Sequence, residues 1–114
     1  MPRGSSSSVR VFYPRYSREG LIALLKARLP ILAAQIPLKR VTLFGSWARG
    51  QATAFSDIDL LVIYADPSRE EAYQLVRRSL GVRGLEPHVY SEQQAGLLKE
   101  TFERMTRNGV VLLG

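Results

Sequence analysis

The 114-residue chain contains no cysteine. Disulfides and thiolate metal sites are therefore excluded, and with them the usual staple of small secreted domains. Histidine is nearly absent: His88 is the only one, whereas ligand histidines usually come in clusters. No apolar run approaches the roughly 20 residues that a membrane span needs. The N-terminal stretch MPRGSSSSVR lacks the apolar core of a secretory signal. A cytoplasmic protein with no membrane partner is the expectation. Acidic residues are scarce in the first half. Of the ten Asp/Glu, only Glu19 lies within residues 1–50, a stretch that holds nine of the sixteen Lys/Arg. Such a basic half either attracts phosphate-rich ligands and acidic partners or is simply a solvated surface.

A chain of this size buries about 65% of its unfolded surface, enough for one core. It is too short for a second substrate domain, so a partner surface is expected from another chain. Residues 1–10 read as a flexible, Ser-rich N-terminal arm, and residues 11–114 as one domain. VRVFYPRY (9–16), apolar and aromatic but broken by Pro14, reads as an extended strap lying on the domain.

Apolar periodicity supplies the elements. Ser17 is a candidate N-cap. Leu21, Leu24, Leu25 and Arg28 follow at helical spacing, with an end near Pro30 and a further turn or two before Pro37. Arg40–Phe44 and Asp57–Tyr64 read as buried strands and Leu85–Tyr90 as a third. Ser68/Glu71 and Ser91/Gln94 have the spacing of capping boxes. The first opens a helix closed by Gly81. The second opens a helix with Ala95, Leu98, Phe102 and Met105 on one face, stopped at Asn108-Gly109. VVLLG is a candidate last short strand. The order α-β-α-β-α-β-α predicts an α/β fold, a small sheet covered by helices. The first two strands lie too close in sequence for a crossover helix, which makes the sheet mixed.

The chemistry is concentrated in Gly45-Ser46-Trp47-Ala48-Arg49-Gly50 and Ser56-Asp57-Ile58-Asp59. Residues i and i+2 of a strand share a face, so Asp57 and Asp59 project together while Ile58, Leu60 and Val62 face a core. Two adjacent carboxylates are unfavourable without a cation, and Mg²⁺ takes oxygen ligands together with substrate phosphates. Gly45 lets the backbone approach a ligand closely. Ser46 offers a hydroxyl and an N–H at an expected helix start, and Arg49 a guanidinium for the same anion. The Walker A pattern is absent. Trp47 is open to two readings, stacking on a base or anchoring the turn. Alternation places Glu86, His88 and Tyr90 on one face of the third strand, where Pro87 marks an edge or a bulge. His88 then either touches substrate or metal, or is an ordinary edge-strand residue.

The pattern Gly45-Ser46, ten residues, then Asp57-Ile58-Asp59 resembles the signature of the DNA polymerase β-type nucleotidyltransferase superfamily. The string GSWARGQATAFSDIDLLV is similar to its minimal nucleotidyltransferases. The resemblance covers residues 17–114, with the specific motif at 45–63. It implies a polymerase β-like fold, nucleoside triphosphate (ATP) as donor, and a Mg²⁺ site, of two ions, in which Mn²⁺ can substitute. It also implies a third metal-binding acid on a later strand, for which Glu86 is the candidate. Asp57, Asp59 and Glu86 are then the catalytic and metal-binding residues; Gly45, Ser46 and Arg49 hold the nucleotide. Minimal nucleotidyltransferases commonly pair with a helical HEPN-type protein as toxin and antitoxin, some modifying the toxin on tyrosine. The expected function is transfer of a nucleoside monophosphate, AMP, to an acceptor hydroxyl on such a partner. The alternative is a catalytically weak or inactive module that neutralises the partner by binding it. Direct nucleic-acid binding through the basic half ranks last, since its arginines are dispersed over several elements.

Overall fold

The computed structural model describes residues 16–114; the predicted arm lies outside them. Ser17 caps the first helix as expected, its hydroxyl accepting from the Gly20 N–H at 2.9 Å. This helix, α1 (Arg18–Ala33), does not stop at Pro30 but runs through it. Proline within a helix costs about 3 kcal/mol. Burial on either side offsets that cost: Leu29 and Leu32 in the last turns and Ile36 just beyond are all in the core. Arg28 lies on the inner side of α1 for a polar reason. Its Nη1 donates to the carbonyls of Leu80 (2.6 Å) and Gly81 (3.0 Å), satisfying the carboxyl end of a neighbouring helix.

The strands are β1 (Leu38–Phe44), β2 (Ile58–Tyr64), β3 (Leu85–Ser91) and β4 (Val110–Leu113). They form one sheet in the order β3-β2-β1-β4. β1 runs antiparallel to both β2 and β4, while β2 and β3 are parallel, so the sheet is mixed as predicted. A parallel pair needs a crossover, supplied by α2 (Ala72–Leu80). No regular helix separates β1 from β2. Residues 45–50 form consecutive turns, so the predicted helix start at Ser46 is absent and the order is α-β-β-α-β-α-α-β. Pro87 sits in β3, an edge strand, where a missing N–H is tolerated.

Of the two predicted capping boxes, one forms. Ser91 Oγ accepts from the Gln94 N–H, and the Gln94 side chain accepts from the Ser91 N–H, at the start of α3 (Glu92–Leu97). Ser91→Ala should cost about 1 kcal/mol, seen as a lower melting temperature and faster amide exchange over residues 92–95. The Ser68/Glu71 pair is not a capping box. Glu71 is held by Arg69 at 2.7 Å, and the Arg69 N–H is taken by the Tyr64 hydroxyl at 2.9 Å. The Ser68 hydroxyl instead accepts from Gln94 Nε2 at 3.4 Å and Arg69 Nη1 donates to the Gln35 carbonyl at 3.0 Å, so tertiary bonds hold the segment and α2 starts only at Ala72. The expected single last helix is two, α3 and α4 (Lys99–Met105), broken at Leu98, which is exposed rather than core-facing.

Helices cover both faces. Under α1 and α2 lie Val41, Leu43, Ile58, Leu60, Val62 and Tyr64. Under α3 and α4 lie Phe44 and Leu61, with Ile63 and Tyr90 packed against them. This second cover stops short of the start of β2, and the end of the sheet it leaves open carries the acidic residues.

Candidate active site

The open end is built by strand register. Asp59 lies opposite Phe44 on β1 and Glu86 on β3; Leu61 lies opposite His88. Directly paired residues share a face, so Phe44, Asp59, Glu86 and His88 form one patch. Within two residues along β2, burial changes from complete at Leu61 to a side chain 30% exposed at Asp59. Glu86 is exposed. Asp57 is also exposed and lies one residue before the ladder, correcting the expected start of this strand.

Asp59 is the electrostatic centre of the patch. Burial raises its pKa above the ordinary carboxylate value; His88 opposes the rise, and Asp57 and Glu86 add to it by repulsion. His88 Nε2 stands 3.7 Å from Asp59 Oδ1, beyond hydrogen-bond length. The imidazole packs on Phe44 with ring centroids 5.3 Å apart.

The turn after β1 is tied down from several sides. Trp47 is only 4% exposed and belongs to the larger core, so it anchors the turn. Arg18 Nε donates to the Ala48 carbonyl at 3.0 Å, linking the turn to α1. The Arg49 N–H bonds the Gly45 carbonyl and the Gln51 N–H the Ser46 carbonyl. Gly45 has φ +78°, and a Cβ there would lie 2.5 Å from Asp59 Oδ2. The glycine turn therefore rests directly against the Asp59 carboxylate. Ser46 is half-buried beside it, while the exposed Arg49 points its Nε to Gln51 Oε1 at 3.3 Å.

The predicted residues are thus distributed as follows. Gly45, Asp59 and Glu86 come together at the open end; Asp57 adjoins them and contributes to the field at Asp59; Arg49 is engaged by Gln51. Among the described residues, no group of three or more His, Cys, Asp or Glu side chains is placed to hold a metal ion. Two features were not evident from the sequence. His88 approaches Asp59, a contact set by parallel register. Arg83, on the loop before β3, lines a cavity of about 350 Å³ with Trp47, Ser56 and Asp57; no local motif signals it. No helix among the described residues is long and apolar enough to cross a membrane.

Comparison with known proteins agrees with this geometry. The nucleotidyltransferase domain family matches residues 25–109. A Methanocaldococcus jannaschii protein described as a protein adenylyltransferase is 35% identical over 73 residues, 61% of this chain and 73% of that one. A nucleotidyltransferase structure from Sulfolobus solfataricus superposes with TM-score 0.57 at 24% identity, covering 82% of this chain and 80% of the other. A toxin–antitoxin structure with AMP-PNP gives TM-score 0.58 at 24% identity, covering 78% and 73%. These two likenesses concern the fold, which is the polymerase β-like one. With its glycine turn set against an acidic strand, the chain belongs to the nucleotidyltransferase domain family and is a transferase of that type.

Proposed function

We propose that the chain moves AMP from ATP to a hydroxyl on a protein partner, as the antitoxin of a HEPN-type toxin–antitoxin pair. The observation that carries this reading is the contact of the Gly45 turn with Asp59, beside Glu86, at the uncovered end of the sheet. The description of the Methanocaldococcus relative supports protein as acceptor. The toxin–antitoxin neighbour crystallised with AMP-PNP supports an adenine nucleotide and a partner in trans. The HEPN class of the partner rests on the resemblance of the 45–63 motif to minimal nucleotidyltransferases.

The donor set suits a hard cation. Asp57, Asp59 and Glu86 supply only oxygen, and Mg²⁺ is usually bound through one or two carboxylates, with phosphates and water completing its shell. A protein site of three converged donors is therefore not required before nucleotide binds. Mg²⁺ held by these residues, as one or two ions with Mn²⁺ as substitute, would neutralise charge on the phosphate oxygens. In this reading the backbone N–H groups of the Gly45-Ser46 turn and the Ser46 hydroxyl hold the triphosphate, with Arg49 swinging from Gln51 to the same anion. The acceptor oxygen attacks the α-phosphorus, the bond to the bridging oxygen breaks, and pyrophosphate leaves. Glu86, exposed at the rim, takes the acceptor's proton. Positioning and electrostatics provide most of the rate.

That no three donors among the described residues are grouped to hold a metal ion also favours a second reading, a catalytically weak module that neutralises its partner by contact. Co-expression with the product of the neighbouring gene, followed by intact mass measurement, separates the two. Transfer predicts added AMP on the partner, lost when divalent ions are chelated. A tight complex whose partner stays unmodified supports the binding module.

A further inference from the structure

We infer that His88 is a positioning residue that fixes the Asp59 carboxylate so that one oxygen is held by the protein and the other faces the glycine turn. The inference rests on the proposed role of Asp59 as a metal ligand.

The two oxygens of Asp59 have different surroundings. Oδ2 is the atom a Cβ on Gly45 would strike, at 2.5 Å; it faces the turn proposed to hold phosphate. Oδ1 faces His88 Nε2 at 3.7 Å. That nitrogen is buried and has no hydrogen-bond partner among the described residues. A buried polar nitrogen without a partner costs about 1–3 kcal/mol, so, in the tautomer with its proton on Nε2, a carboxylate oxygen within a small rotation is its natural acceptor. The ring packs on Phe44 on one side, and its backbone is fixed in register opposite Leu61. Closing the gap therefore falls to Asp59, which turns Oδ1 toward His88 and leaves Oδ2 for the cation and the triphosphate. Partners of this kind around a metal ligand typically contribute 10–100-fold in metal affinity.

The test is Mn²⁺ affinity in the presence of a non-hydrolysable ATP analogue, by calorimetry or electron spin resonance. His88→Phe keeps a ring against Phe44 and removes the donor. His88→Gln restores a donor at similar reach. The expected result is about a ten-fold or greater loss of Mn²⁺ affinity for His88→Phe, recovery to within a few-fold for His88→Gln, and unchanged circular dichroism for both. Equal affinity of His88→Phe and the parent chain overturns the inference and leaves the proposed function standing. Equal loss in His88→Phe and His88→Gln also overturns it, since the donor would not be what matters. A parent chain that binds neither Mn²⁺ nor the analogue overturns the proposed function, and this inference with it.

Discussion

Asp59→Asn is expected to abolish nucleotide transfer and at the same time make the metal-free protein more stable. The first effect follows from removing the carboxylate proposed to bind the cation. A loss of about 10²–10³-fold or more is expected, on the scale of deleting one electrostatic contact to a transition state. The second effect follows from linkage. Burial, together with Asp57 and Glu86, raises the pKa of Asp59 in the folded chain, with His88 opposing. A carboxyl whose folded pKa is raised binds its proton more tightly when folded than when unfolded. Its contribution to stability is complete below the unfolded pKa, about 3.9, and is lost as pH rises through the higher folded value. At neutral pH the native state therefore carries an ionised group that it disfavours, and asparagine removes that burden. Thermal melts in chelator at pH 7 should show a higher midpoint for Asp59→Asn, with the gap shrinking toward pH 3. Added Mg²⁺ and ATP should stabilise the parent chain and not the variant, because ligand binding adds to native-state stability. Undiminished labelling of an acceptor by Asp59→Asn would sink the assignment.

Gly45→Ala is expected to be nearly as damaging, and Gly50→Ala shows why. Both glycines have positive φ, +78° and +73°. Alanine at either pays a similar backbone penalty, on the order of 1–2 kcal/mol. Their surroundings differ. A Cβ at Gly50 meets nothing within 4 Å, whereas one at Gly45 falls 2.5 Å from Asp59 Oδ2. Gly50→Ala should therefore lower the melting temperature and keep transfer within a few-fold of the parent. Gly45→Ala should lower stability to a similar degree or more and also drive the Asp59 side chain from its place. About 10²-fold of activity should go with it, as a displacement of about 1 Å costs in other sites. Equal activity of the two variants would show that the turn does not position the carboxylate.

Much of this site was legible before folding was considered. A glycine-serine turn, then acids at the mouth of an apolar strand, is a local pattern, and the turn and the strand both form where it places them. Alternation correctly grouped Glu86 with His88 and Tyr90, because side-chain direction on a strand has a strict period of two. Where sequence reasoning failed, longer-range forces had overridden local ones. Ser68 and Glu71 have capping-box spacing, but the Ser68 hydroxyl accepts from the distant Gln94 side chain and Arg69 reaches the Gln35 carbonyl. Pro30 has the chemistry of a helix stop, yet Leu32 and Ile36 draw the chain onward into the core. Leu98 has the periodicity of a core position, but the helix breaks there and exposes it.

The sequence by itself determined which segments form strands, that the sheet is mixed and where the glycine turn falls, because each depends on side-chain type and spacing within a few residues. Tertiary structure alone decided what these groups meet. The parallel register of β2 and β3 sets Glu86 opposite Asp59 and His88 opposite Leu61. The backbone path of the turn brings Gly45 against Asp59 Oδ2, and the extent of α3 and α4 leaves that end of the sheet open. Each of these is a distance between segments far apart in the chain, fixed by pairing and packing that no local pattern encodes.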